Sequence, residues 1–529
     1  MARRAREYFQ KSFVILLFFS LGIIFTNCQN TTNVNADGTV VIGIRADFDS
    51  LNELNAADTD ALQVIQYFLF MPLTRLDRNL DFAPYLAEKW TFSEDRLQLT
   101  YFLRKDVYWT DGQKTTADDV VYTYQLAINP DIAYPAASRF DLIDTVCKID
   151  DYTVLVQLKK AYPDVLFDMQ IPILPKHILG NLAPDEVLTA PFNRQPTGNG
   201  PFKLGEWKAN QRIVFEANEQ HAIGRPKLDR VIFSIIPDEN ILLTNLRSGI
   251  IDLMPRMTPE NITQIQQSDI VVQSFPGKIF TFIGWNLNRQ MFTKPVRQAF
   301  THAIDKTEII ETLLKGYGRP AIGPLTPLAW AFDEELQDIP FDNEKAERLL
   351  VQEGWIDSDD DGIRDKNGDP LNVTIKVNTA SQLRQDVAIL VQAQLKKIGV
   401  RVYIQRVEWN LFIQQVFRDA DFDAVILAWD TDFTVNPTDL WHSSAIDNGY
   451  NFVAYKNARI DQLLELGRNA ANREIAKPYW SEFQRIIIED CPYTFLFIQD
   501  NIVAFNQRLQ GCEFDLRSLY VNIYAWWTK

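Results

Sequence analysis

Along this chain, apolar runs of strand length and amphipathic runs of helix length follow one another without strict strand–helix alternation, and that mixture narrows the fold most. The segment VVIGIRADF (40–48) reads as a short apolar strand, and a helical pattern follows around 60–71. Between 96 and 109, Leu97, Leu99, Tyr101 and Leu103 recur at period two, the signature of a half-buried strand. Asp111-Gly112 marks a turn, and Thr116 is placed to cap a helix from Ala117 to about Ala127, with Asp118 and Asp119 at its positive end. After residue 200, RIVFEAN and RVIFSII return to strands, and a helix from about Glu239 to Arg247 closes at Gly249. Val296, Phe300, Ala303 and Ile304 form one buried stripe, and Asp305 with Glu308 reads as a capping box for a helix ending at Gly316. Helices near 342–353, 382–397, 458–467 and 473–489 alternate with the strands VTIKV, VRVYIQ and DAVILAW. At roughly 100–200 residues per domain, 529 residues are too many for one core, so two or three α/β domains with insertions are expected.

The first residues read as an address rather than as fold. Arg3, Arg4, Arg6 and Lys11 precede an apolar run from Phe13 to Phe25, broken only by Ser20 and Gly22. That run is too short to span a bilayer, so 1–27 reads as a signal peptide. Cys28 follows directly, then the polar stretch QNTTNVNADG, an order that resembles the lipobox of bacterial lipoproteins. The resemblance implies a lipid on Cys28, a linker over 28–37, and a membrane-anchored protein in the periplasm or on the cell surface. Phe25 and Asn27 depart from the usual Leu and small residue of such a box. Cys147, Cys491 and Cys512 are an odd number, so at most one disulfide can form, Cys491 with Cys512 being the closest pair in sequence.

Charge and motif content exclude more than they select. With 53 Lys plus Arg against 69 Asp plus Glu, the net charge of -16 is unsuited to a nucleic-acid surface. No GxSxG elbow, HExxH or P-loop occurs, and His177, His221, His302 and His442 show no metal-ligand spacing. His302, beside the cap at Asp305, reads as a packing or surface residue. Gly198-Asn199-Gly200 looks like a phosphate loop, but Pro201 removes a needed donor, so a tight turn is the better reading. No catalytic residue, cofactor or zinc cluster is expected. Asp357, Asp359, Asp361, Gly362 and Asp365 match positions 1, 3, 5, 6 and 9 of a calcium loop, yet the twelfth position is Gly368. A structural calcium loop and an acidic solvated turn both remain open.

PYLAEKW (84–90) and SEDRLQLTYFLRKDVYWTDGQKTTADDVVYTYQ (93–125) are followed in order by several shorter stretches. These are GNGPFKL (198–204), LRSGIIDL (246–253), PVRQAFTHAIDKTEII (295–310), KAERLLVQEGW (345–355), LKKIGV (395–400) and NFVAYKNARIDQLL (451–464), with LNELN (51–55) ahead of them all. The set resembles the extracytoplasmic solute-binding proteins, family 5, of peptide and nickel ABC importers. The resemblance implies an α/β, periplasmic-binding-protein-like two-lobe fold of type II, with an extra inserted domain and a ligand cleft between the lobes. Domain I is expected over 38–80, 195–285 and 500–529, domain II over 81–194 as the insert, and domain III over 286–499. The implied partners of such a monomer are a short peptide and an ABC permease with its ATPase.

Ligand residues follow from the same resemblance. In AWDTDF, Trp429 and Asp432 have the Trp-x-x-Asp spacing that sets a carboxylate against a peptide's ammonium group. The usual acidic-Pro pair is replaced by Asn436-Pro437, one residue further along, which leaves Asp430 in competition. Arg384, in NTASQLRQDVA, matches the residue that holds a peptide carboxylate, and Tyr134, in DIAYPAAS, matches one that faces the cleft. The same scaffold can hold a metal chelate or an oligosaccharide, and an exported hydrolase or an adhesion lipoprotein are the rivals from other classes.

Overall fold

The computed structural model describes residues 37–265, 269–431 and 433–529. The leader, the Cys28 lipid site and Asp432 lie outside the described residues. Among the described residues no helix is long and apolar enough to cross a membrane.

One large mixed sheet runs through both halves of the molecule. Its strands are β1 (Thr39–Ile44), β2 (Phe202–Lys208), β3 (Arg212–Ala217), β4 (Arg230–Ile235), β5 (Leu253–Met254), β6 (Ile270–Trp285), β7 (Gly318–Pro320), β8 (Asn372–Asn378), β9 (Arg401–Val407), β10 (Ala424–Asp430) and β11 (Tyr493–Asn506). The order is β9-β8-β10-β6-β11-β5-β1-β4-β3-β2, with β7 also on β11. β1 is buried at every position and lies parallel to both β4 and β5, which explains its unbroken apolar run. A separate four-stranded antiparallel sheet, built from 87–92, 98–103, 153–158 and 143–150, carries the predicted alternation: Leu99, Tyr101 and Leu103 are buried.

The long strands β6 and β11 join the halves. Ile270–Pro276 pairs with Asp500–Asn506 on the first-lobe side, and Phe280–Gly284 pairs with 493–498 on the second. The register breaks between Pro276 and Phe280. There Gly277 presses against the chain so closely that a Cβ would stand 2.3 Å from the Gln499 carbonyl. Residues 279–285, which the resemblance places with domain I, pair with β10. Pro276 has no N–H to continue the ladder, which is why the break falls there.

Each lobe has its own core. The first packs Phe68, Phe202, Phe233 and Tyr520 together with the insert's Tyr101, Trp109 and Tyr124 in one continuous cluster. In the second, helices Lys294–His302 and Gln382–Lys396 cover one face of the sheet, and Ala458–Arg468 with Arg473–Asp490 cover the other. The predicted helix at 117–127 forms, with the Asp119 carboxylate accepting the Thr116 N–H at 2.8 Å. The capping box at 305–308 forms only by half. Asp305 accepts the Glu308 N–H at 3.0 Å, but the Glu308 carboxylate accepts from Gln394 at 2.8 Å instead of turning back.

The Gly198-Asn199-Gly200 segment also has a different reason from a tight turn. Side-chain carbons at Gly198 and Gly200 would lie 2.1 and 2.4 Å from the Leu69 and Phe68 carbonyls, so glycine permits close packing of two backbones. His302 takes the packing role, buried with Nδ1 2.7 Å from the Pro340 carbonyl. The three described cysteines are free.

Candidate ligand site

A cavity of about 550 Å³ lies where the halves meet, within the range of roughly 300–1,000 Å³ common for small-solute pockets. The first lobe supplies Glu53, Arg75 and Arg517, and its insert supplies Tyr85, Arg139 and Phe167. Lys278, at the register break of β6, and Phe433 close it from the other side.

Glu53 is held by its neighbours in LNELN. Asn52 is fully buried; its amide donates to Asn193 Oδ1 at 2.9 Å, and its Oδ1 accepts the Leu54 N–H at 3.1 Å. That brace leaves the Glu53 carboxylate to accept the Tyr134 hydroxyl at 2.9 Å. Burial pushes the Glu53 carboxyl up to about 7, against the opposing pull of Tyr134 and Arg139. Tyr134 is itself buried, its ring stacked on Phe140 at 6.4 Å.

None of the described residues read from sequence as ligand contacts belongs to the cavity lining itself. Tyr134 reaches it through Glu53. Trp429, half-buried on β10, donates its indole N–H to Tyr493 Oη at 3.4 Å and stacks over Phe282 at 6.2 Å. It sits among the second lobe's aromatic side chains rather than in the lining. Asp430 is exposed and pairs with Lys278 at 2.9 Å. Phe433, the neighbour of Asp432, does line the cavity. Arg384, in the first turn of helix Gln382–Lys396 behind the Ser381 cap, is outside the lining. Burial holds its guanidinium below its ordinary value, and among the described residues it has no hydrogen-bond or ion-pair partner.

The halves also touch across the rim. Asp164, before the helical turn Val165–Asp168 of the insert, accepts Trp330 Nε1 at 2.8 Å, Arg473 Nη2 at 3.0 Å and the Val435 N–H at 3.4 Å. The Arg473 guanidinium lies 4.8 Å from the Phe82 ring centre and 5.0 Å from that of Trp330. Phe167 meets Phe433 at 5.6 Å, and Arg96 donates to the Ala471 carbonyl at 2.9 Å. Burial raises the Asp164 carboxyl, and the Arg473 charge opposes that rise.

Glu53, Arg75, Lys278 and Asp164 were not read as site residues. LNELN was the available signal for Glu53, but nothing in its spacing shows that the carboxyl is buried. At the acidic loop, the Asp357, Asp359 and Asp361 carboxylates come within 4.8 Å of one another and are all exposed. Asp357 accepts the Gly362 N–H at 2.9 Å, Asp361 pairs with Arg401 at 3.1 Å, and Asp365 accepts the Ser358 hydroxyl at 2.6 Å.

Residues 81–451 match the bacterial extracellular solute-binding proteins, family 5 Middle. The chain is 36% identical over 531 residues to the oligopeptide-binding protein AppA of Bacillus subtilis (strain 168), covering 96% of each. The solved structure of Bacillus subtilis AppA in complex with a nonapeptide superposes with a TM-score of 0.68 at 34% identity, covering 93% of this chain and 99% of that one. NikZ from Campylobacter jejuni in complex with Ni(L-His) gives a TM-score of 0.72 at 28% identity, covering 93% and 100%. The mixed α/β architecture, the two lobes and this match over most of the sequence make the chain a member of the bacterial extracellular solute-binding proteins, family 5.

Proposed function

We propose that this protein captures short peptides outside the cytoplasm by closing its two lobes, and hands them unaltered to an ABC permease and its ATPase. The observation that carries the reading is the cavity between the lobes, with the buried Glu53 carboxyl on its wall. A ligand ammonium group placed there supplies the opposite charge that a buried carboxylate needs. Because a solute in this cavity contacts both lobes, its binding energy favours the closed arrangement and drives closure. Likeness to the peptide-bound AppA supports a peptide as the guest.

In this proposal Tyr134 positions Glu53, and Asp432 completes the ammonium site on the strength of its Trp-x-x-Asp spacing. Trp429 backs that segment, and Asp430 remains its exposed alternative, paired with Lys278 at 2.9 Å. Arg384, which the resemblance matches to a residue that holds a peptide carboxylate, lies outside the cavity lining and takes no part in this proposal. Domain II corresponds to 81–194, whose four-stranded sheet is separate from the large one. Domain I (38–80, 195–285, 500–529) and domain III (286–499) divide the large sheet. A lipid on Cys28 anchors a monomer to the membrane.

Isothermal titration with short alanine peptides and their N-acetylated forms tests the reading. Free peptides are expected to bind, and acetylation to weaken them at least roughly tenfold. Equal affinity for both forms would overturn the ammonium site. A second reading, an amino-acid chelate of a metal, draws on the likeness to NikZ. Binding of nickel–histidine with no binding of peptides would favour it.

A further inference from the structure

We infer that Arg75 anchors the carboxylate of the captured solute, a conclusion that rests on reading the inter-lobe cavity as the ligand site. Every other cation in the lining is already engaged. Arg78 donates to Glu513 at 3.1 Å, and Arg517 to Asp515 at 3.0 Å and to the Leu76 carbonyl at 3.1 Å. Arg139 donates to the Phe167 carbonyl at 3.2 Å and faces Asp168 at 3.9 Å, while Lys278 pairs with Asp430. Among the described residues the Arg75 guanidinium has no hydrogen bond and no ion pair; its recorded contact is with the Tyr85 ring, 5.4 Å away.

The anions of the lining do not answer it either. Glu53 accepts from Tyr134, Glu513 lies on Arg78 and Arg517, and Asp77 accepts the Asn79 and Asp81 N–H groups at 2.8 and 3.0 Å. The local backbone explains the exposure of Arg75 to the cavity. It stands in the middle of the short strand Thr74–Leu76, opposite Ala83, whose methyl group covers little. Contact with the Tyr85 ring restrains the guanidinium and leaves its N–H fork available for a planar, two-oxygen partner. A half-buried cation without a partner is costly, and a ligand carboxylate relieves that cost by charge-assisted bonds. Arg75 and Glu53 therefore complement a solute carrying both a carboxylate and an ammonium group, which a free peptide has and a neutral sugar lacks.

The test is titration of tri-, tetra- and penta-alanine, each as the free acid and as the C-terminal amide, into the wild-type protein, Arg75→Gln, Arg75→Lys and Arg384→Gln. The wild type is expected to lose roughly ten- to hundredfold affinity on amidation. Arg75→Gln should bind acid and amide alike, Arg75→Lys should discriminate only partly, and Arg384→Gln should discriminate as the wild type does. Thermal melts establish that each variant is folded. Discrimination that persists in folded Arg75→Gln, or vanishes in Arg384→Gln, overturns the assignment. Failure of the wild type to bind any of the peptides overturns the peptide reading itself.

Discussion

The lobes meet in two places that are built in opposite ways. At the hinge, β6 and β11 run from one half into the other as paired strands, and the apolar side chains Phe280, Phe282, Phe495 and Phe497 are almost wholly buried around them. At the rim, Asp164 of the insert gathers an arginine, an indole N–H and a backbone N–H from the second lobe. The hinge has to bend without losing its ladder, and its register break at 277–279 lets it do so. The rim has to separate completely, and charged groups serve there because water takes them up again on opening. Apolar contact would hold such a rim shut in water, whereas a buried ion pair holds it only while the cleft is dry.

The largest effect is therefore expected at the rim. Asp164 and Arg473 have side-chain exposures of only 13% and 22%. Asp164→Ala removes the carboxylate bonded to Arg473 and leaves only the weaker pull of Asp81 and Asp168, a loss of about 3 kcal/mol, the low end for a broken buried pair. The open form rehydrates both groups, so the loss falls on closure rather than on folding. Peptide affinity should drop by at least roughly a hundredfold, with a small change in melting temperature. X-ray scattering should show a wider average shape in the presence of peptide. A melting temperature that falls steeply while affinity holds would place Asp164 in the structural core of a lobe instead.

Glu53 lies on the cavity wall between hinge and rim, and pH reads its state. Its folded-state pKa, about 7, is raised above the ordinary 4.5, so the folded protein holds this proton more tightly than the unfolded chain does. The stability this contributes is complete below about pH 4.5 and is lost as pH rises to about 7, a change of about 3 kcal/mol. Ligand binding responds with the opposite sign, because an ammonium group needs the ionised carboxylate. Peptide affinity should fall about tenfold for each unit of pH below 7, and Glu53→Gln should flatten the profile. A wild-type profile that is already flat between pH 5.5 and 8 would remove Glu53 from the ammonium site.

The sequence made periodic features readable and left long-range pairings hidden. Leu99, Tyr101 and Leu103 announce their strand because a half-buried sheet imposes period two. The helix at 473–489 forms as Arg473–Asp490 because its Asn472 cap and apolar stripe are local. The partner of 279–285 stays hidden because a largely apolar strand reads alike in either lobe; Pro276-Gly277 is the local mark of the register break. Glu53, Arg75 and Asp164 were missed for a different reason. Each is an ordinary charged residue in sequence, and only a partner far along the chain, or the lack of one, sets it apart. Trp429 and Tyr134 came from the family resemblance; Tyr134 bonds Glu53 of the lining, whereas Trp429 packs among the second lobe's aromatic side chains. Arg384 came the same way, and its distance from the lining is a matter of lobe geometry that no spacing records.

The hinge supplies the control for the rim. Lys278 and Asp430 also pair across few ångströms, at 2.9 Å, but each side chain is 54% exposed. Water already solvates both charges, so removing one strands nothing in a dry interface. Lys278→Ala should change folding stability and peptide affinity each by no more than about 1 kcal/mol, and high salt should erase even that. Titration in 0.05 and 0.5 M salt checks the point, because Asp164→Ala should keep its deficit in both. An affinity loss in Lys278→Ala that matches Asp164→Ala and survives salt would mean that Lys278 touches the ligand, and that distance from water is not what separates the two junctions.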